Sequence, residues 1–487
     1  MNMERKNAWK TYDETDREKL NELNERYKTF LSECKTEREC TKRAIEMAQR
    51  VGYVSLEDAI AEGRALKPGD KVWIDNYGKA IMLVQIGTDD IEAGVNILGA
   101  HIDSPRLDLK QNPLYETADF VLLDTHYYGG IKNYQWVALP LALKGVVVKK
   151  DGEVVDVSIG DNPNDPVFCV TDLLPHLGAE QLKKNGREVV DAESLDVLIG
   201  SEPLVVADGE KPKRDEETSK KENLTYEERI IKMAEAEAVR ANILTLLLEQ
   251  YGIEEEDFLS AEIEVVPAGA ARDCGLDRSM VIGYGQDDRV CAYTSLEAQL
   301  AVDNPTRTSV CILVDKEEIG SVGATGMTSA FFENTMAEIL ELLGCKGGLA
   351  LRRCLAKSSM LSSDVSAAFD QAHASVFETK NSAYCGRGLV FNKYTGSGGK
   401  SGSNDANAEY MAALRKIMDD AGVNYQTAEL GRVNAGGGGT IAYIPAKYGM
   451  NVIDSGVPVL SMHSPWEVTS KADIYEAFKG YKAFLNA

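Results

Sequence analysis

Two imidazoles and three carboxylates stand in one recurring local context along this chain: His101, Asp287, Glu318, Asp364 and His463 each follow a short apolar run. Imidazole nitrogen and carboxylate oxygen are donors that hold divalent cations, and five of them brought together can hold a pair and activate water for hydrolysis. Taken singly, each has a plainer reading. A histidine after a strand is commonly a hydrogen-bonded structural residue. Asp287-Asp288 and Asp364 could cap helices, and Glu317-Glu318 could be a solvated strand edge. The joint pattern decides for chemistry, because the chain has only five histidines and two of them share this context.

Residues so far apart in sequence meet only if a sheet delivers them. In open α/β sheets ligands bind in the crevice beyond the carboxyl ends of the strands. Apolar spacing over residues 15–50 predicts two amphipathic helices, and short β-type runs over 71–100 end in Gly99-Ala100-His101. Residues 279–283 read as a strand leading through Gln286 to Asp287-Asp288, with a helix over 290–302. A buried strand over 308–314 runs into Asp315 and Glu317-Glu318, and residues 457–460 lead to His463. Between them the composition drifts. A β-rich piece over 137–159 is followed by the turn-forming run 161–166, a charged tract over 208–228 that reads as a solvated linker, and a helix over 226–251. This predicts a mixed-sheet α/β domain formed by residues 1–110 and 263–487, interrupted by a β-rich inserted domain over 111–262.

Composition agrees with two domains and narrows the partners. A chain of 487 residues exceeds what one hydrophobic core usually supports, and 44% hydrophobic with 7% aromatic residues is ordinary for a soluble α/β protein. The net charge of −24 repels nucleic acid and anionic lipid, so neither is an expected partner. Nine cysteines without a CxxC pair suggest neither a disulfide framework nor a zinc ribbon, which fits a reducing cytoplasm. The first twenty residues are too charged for a signal peptide, and no apolar stretch approaches the ~18 residues of a membrane span.

Five segments carry a family resemblance. Gly99-Ala100-His101-Ile102-Asp103-Ser104-Pro105-Arg106, Val265-Val266-Pro267-Ala268-Gly269-Ala270-Ala271-Arg272-Asp273, Gln286-Asp287-Asp288-Arg289, Asp315-Lys316-Glu317-Glu318-Ile319-Gly320-Ser321 and Ser461-Met462-His463-Ser464-Pro465-Trp466-Glu467 resemble, in order, the signature segments of the M18 metallo-aminopeptidases, the aspartyl aminopeptidase family. The resemblance implies a metallo-aminopeptidase catalytic domain with an inserted dimerisation domain. It implies two divalent metals per subunit, usually zinc, although such a mixed donor set also accepts manganese or cobalt. Asp287 would bridge them, with Asp288 as the alternative bridge. His101 and Asp364 would complete one metal, and Glu318 and His463 the other. Glu317 would be the general base and Asp103 the carboxylate that orients His101.

The same resemblance implies removal of N-terminal residues from peptides, with Asp or Glu favoured, and dimers assembled into a dodecamer. An acidic preference needs a cation near the side-chain pocket, and Lys393 and Lys400 are the candidates. His176 matches a family histidine that reaches a neighbouring subunit's active site. Gly437 and Gly438, within Gly436-Gly437-Gly438-Gly439-Thr440, are expected to line the substrate pocket. The run Tyr394-Thr395-Gly396-Ser397-Gly398-Gly399-Lys400-Ser401 looks like a phosphate-binding loop but has Tyr394 where that motif requires glycine. Two other readings remain open at this point: a related two-metal aminopeptidase of broad or deblocking specificity, and a non-catalytic oligomeric scaffold.

Overall fold

The computed structural model describes residues 6–206, 224–396 and 398–487. The chain forms two compact units, Met1–Ser104 with Ala270–Ala487, and Pro105–Gly269. The inserted unit thus begins earlier and ends later than the composition shift suggests. The reason lies in strand pairing, because Arg106–Thr117 and Ala261–Pro267 are antiparallel neighbours in one six-stranded sheet. Both strands at its edges in sequence therefore belong wholly to the insertion. The sheet runs Val154–Ile159, Leu141–Val148, Ala261–Pro267, Arg106–Thr117, Phe120–Tyr128, Val197–Gly200. The helix expected over 226–251 is two helices, Tyr226–Met233 and Ala238–Tyr251. Nothing in the Ala- and Glu-rich joint breaks a helix by propensity; the second helix packs on the first two long strands of the sheet, and such packing overrides propensity. Of the charged tract, residues 207–223 lie outside the described residues, and Thr225 already caps the first helix by a reciprocal bond with Glu228.

The larger unit is built on a nine-stranded mixed sheet. Its four middle strands, Ser309–Val314, Asn96–His101, Ser359–Ser362 and Asn451–Gly456, are parallel neighbours in that order. Asn96–His101 and Ser309–Val314 are buried at every position, as expected when both faces are covered. Alternate residues feed two different cores. Leu98, Ala100, Cys311 and Leu313 pack on one face with helices Glu14–Glu33, Gln286–Leu300 and Lys471–Leu485. Ile97, Val310 and Ile312 pack on the other with helices Phe331–Leu342 and Gly348–Lys357. The period-two alternation of side chains is what makes both faces apolar at once. A second, five-stranded sheet holds Arg272–Cys274, Met280–Gly283, Glu467–Ser470, Pro458–Leu460 and Ser366–Ala367.

Candidate active site

Two sheets supply the five chemically matched residues, all within the larger unit. From the parallel sheet, His101 is the last residue of its strand, Glu318 lies in the 3-10 turn Glu317–Ile319 after Ser309–Val314, and Asp364 follows Ser359–Ser362 by two residues. From the small sheet, Asp287 follows Met280–Gly283 and His463 follows Pro458–Leu460. Asp287 does not cap its helix. It has non-helical backbone angles, as does Asp288, and its carboxylate faces the two histidines. Asp287 Oδ1 lies 3.2 Å from His101 Nε2, and its Oδ2 lies 3.1 Å from His463 Nε2. Glu318 Oε1 is 3.5 Å from His463 Nε2, and Glu317 Oε2 is 3.9 Å from His101 Nε2. Gly456 lets Asp364 come close, since a Cβ there would stand 1.8 Å from the Asp364 carbonyl oxygen.

Two further acids, both buried, hold this arrangement. Asp103 Oδ1 lies 3.2 Å from His101 Nδ1 and accepts from the Glu317 N–H at 3.1 Å, while its Oδ2 accepts from the Glu318 N–H at 3.1 Å. Lys316 makes this possible by turning the chain at φ 71°, a left-handed conformation that a non-glycine residue rarely adopts. On the opposite side, Glu467 accepts from the Asp287 N–H at 3.0 Å and the His463 N–H at 2.7 Å. Ser104 Oγ donates to the Asp287 carbonyl at 2.6 Å. Glu467 lies inside the last signature segment, yet four residues from His463 no spacing rule picks it out.

The charge in this cluster is unbalanced in a way that calls for cations. Burial pushes the Glu317 carboxyl up to about 7, and nearby carboxylates reinforce it against the pull of His101. Burial followed by like-charge neighbours also raises Glu318 and Asp364 well above the carboxylate range, and Asp288 shifts the same way. For Asp287 burial acts upward too, but the bonds to His101 and His463 outweigh it and the net shift is downward. His463 is raised to about 10 because the bond to Asp287 overcomes desolvation, and His101 is raised likewise by Asp103 and Asp287. Glu318 Oε1 is buried with His463 Nε2 beside it at 3.5 Å, and the buried Asp288 carboxylate meets the Cys291 thiol and the His101 backbone. Donor atoms of His101, Asp287 and Glu318, and separately of His101, Asp288 and Asp364, lie within 4.8 Å of one another. Buried carboxylates crowded together with imidazoles are a donor set suited to divalent metal.

The Aminopeptidase I zinc metalloprotease (M18) family model matches residues 30–485. The chain belongs to the M18 family. It is an aminopeptidase that uses a divalent metal. A Clostridium acetobutylicum protein named probable M18 family aminopeptidase 1 is 57% identical over 483 residues, covering 99% of this chain and 98% of its own. The crystal structure of an M18 aminopeptidase from Thermotoga maritima superposes with a TM-score of 0.89 at 41% identity, covering 99% of each chain. An S. cerevisiae mApe1 dodecamer shares the fold at a TM-score of 0.74 and 18% identity, covering 96% of this chain and 97% of that one.

This M18 chain has a cavity of about 460 Å³ lined by Asp287, Glu317, Glu318, Asp364 and His463 together with Asn392, Thr395, Gly437, Gly438, Thr440 and Asp454. Gly437 and Gly438 line this cavity. Lys393 and Lys400 do not: both exposed ammonium groups bind Asp405, at 2.6 and 2.9 Å, and Lys400 also covers the Tyr394 ring. A partner twelve residues on from Lys393 and five from Lys400 takes both charges. His176 lies in the inserted unit on an exposed segment. Asp454 and Asn392 were missed, although an aspartate inside the buried run Val452-Ile453-Asp454 was a usable signal.

Proposed function

We propose that this aminopeptidase binds two divalent cations, zinc, with manganese and cobalt as competent substitutes, and removes the N-terminal residue of peptides. Asp287 would be shared by the two, His101 and Asp364 would complete one site, and Glu318 and His463 the other. The observation that carries this reading is the span of Asp287, whose two carboxylate oxygens each reach a different histidine. Asp288 meets only the His101 and Asp364 side, which favours Asp287 as the bridge. When bound, the cations polarise the scissile carbonyl and make water acidic enough to lose its proton near neutrality. Glu317, on the cavity wall, takes that proton on its carboxylate and hands it to the leaving amine nitrogen. Asp103 fixes the His101 ring through Nδ1 and holds Glu317 by its backbone N–H.

An acidic preference would need a cation in the cavity. Among the described residues lining it there is no lysine or arginine, so the site suits neutral or cationic N-terminal residues better than Asp or Glu. Assembly into dimers and then a dodecamer is supported by the mApe1 relative and by the exposed Leu173, Leu174, Leu177 and Leu182 around His176, which give the inserted unit an apolar face for dimerisation. Nine free cysteines support a cytoplasmic setting. Peptides, and neither nucleic acid nor membrane, are the partners that the acidic charge supports; no helix among the described residues is long and apolar enough to cross a membrane.

Removing metal with a chelator is expected to abolish hydrolysis of amino-acid amides, and adding back Zn²⁺, Mn²⁺ or Co²⁺ to restore it. Full turnover by protein shown to be metal-free by elemental analysis would contradict the proposal.

A further inference from the structure

We infer that Tyr443 is a specificity-determining residue whose ring receives the N-terminal side chain of the substrate and selects large apolar ones, leucine and phenylalanine over alanine and asparagine. The inference rests on the aminopeptidase reading of the same cavity. Tyr443 opens the short helix Tyr443–Ala446 and lines the cavity that holds Glu317 and Glu318. Its neighbours Ile441, Ala442 and Ile444 are buried in the core that covers one face of the nine-stranded sheet, so the segment is anchored. Tyr443 turns outward from that anchor and is 47% exposed. Among the described residues its hydroxyl has no hydrogen-bond partner and its ring has no aromatic or cationic neighbour.

An aromatic ring held in a cavity wall without a partner keeps apolar surface in water, and a substrate side chain laid on it removes that surface from water. Three more apolar side chains line the same space, Val365, Leu430 and Met462. Val365 follows Asp364 and Met462 precedes His463, and both pack partly against the core. Leu430 lies against the glycine stretch, where a Cβ at Gly438 would stand 3.3 Å from Leu430 Cδ2. Apolar surface thus arrives from four separate segments of the chain and meets at this cavity. Polar side chains of the same wall already have partners in one another, because the Ser362 and Thr440 hydroxyls engage the Asp454 carboxylate. With no lysine or arginine among the described lining residues, a large apolar side chain gains most here, since it needs no partner and buries the most surface.

The test compares alanine, asparagine, leucine and phenylalanine amides as substrates of the metal-loaded wild-type enzyme. An amide carries no residue beyond the scissile bond, so only the N-terminal side chain varies. Leucine and phenylalanine are expected to exceed alanine in kcat/KM by at least roughly 10-fold, the low end for one methylene in an apolar pocket, and leucine to exceed asparagine, which is close to it in size. Tyr443→Ala should bring the leucine-to-alanine and phenylalanine-to-alanine ratios towards one. Tyr443→Phe should keep them, since the ring and not the hydroxyl makes the contact. Wild-type ratios at or below one overturn the inference, and that comparison stands even where a variant fails to fold. In a folded Tyr443→Ala variant, unchanged ratios, an equal loss for every amide or a loss of bound metal also overturns it, and so does a Tyr443→Phe variant that loses the ratios. No hydrolysis of any amide would count against the aminopeptidase reading itself and take this inference with it.

Discussion

The two walls of the site come from different sheets yet use one device. On the parallel-sheet wall, Asp103 fixes His101 and the backbone of Glu317 and Glu318; on the small-sheet wall, Glu467 fixes the backbone of Asp287 and His463. Each is a buried acid that does not line the cavity but orients residues that do. The difference is instructive. Asp103 touches an imidazole ring directly and so sets which nitrogen faces Asp287, whereas Glu467 works through main-chain amides and sets position. Orientation of a ligating histidine by an acceptor on its far nitrogen governs both tautomer and basicity.

That comparison can be broken at its centre first. Glu317→Gln leaves the donor set and both bracing acids in place, so metal content should stay complete while kcat falls by roughly 10²- to 10⁴-fold, the range for a positioned general base. An active variant with full metal content would remove Glu317 from the chemistry. Asp103→Ala should then weaken metal affinity by roughly 10- to 100-fold, and Glu467→Ala by less, because it takes no ring contact away. Metal titrations of the two variants measured side by side check this order, and a larger loss for Glu467→Ala would invert it. The smallest effect on the metals is expected from His176→Phe in the inserted unit. It should lower turnover or assembly, read by kinetics and by sedimentation, with metal content intact; if both stayed at the wild-type level, its role across subunits would fall.

Legibility in the sequence followed the same division. Residues whose chemistry shows in their own type, His101, Asp287, Glu318, Asp364 and His463, could be read from their place after apolar runs. The parallel strands that carry His101 and Glu318 were visible as apolar stretches of strand length, whereas Ser359–Ser362, before Asp364, was not. What stayed hidden depends on tertiary neighbours. Glu467 acts through the amides of residues brought to it by strand pairing, and Asp454 reaches the cavity wall on a strand set between those of Ser362 and Asn392. Lys393 and Lys400 have the right type and place in sequence, and only the fold reveals that Asp405 holds both. The edges of the inserted unit were hidden for a similar reason, because the pairing of Arg106–Thr117 with Ala261–Pro267 joins stretches far apart in the chain.

The central claim is that Asp287 joins two cations, and anomalous diffraction from crystals of the zinc-loaded enzyme tests it most directly. The account predicts two peaks per chain roughly 3.5 to 4 Å apart, one beside His101 and Asp364, the other beside Glu318 and His463, with Asp287 between them. A single peak, or two peaks that do not share Asp287, would contradict it.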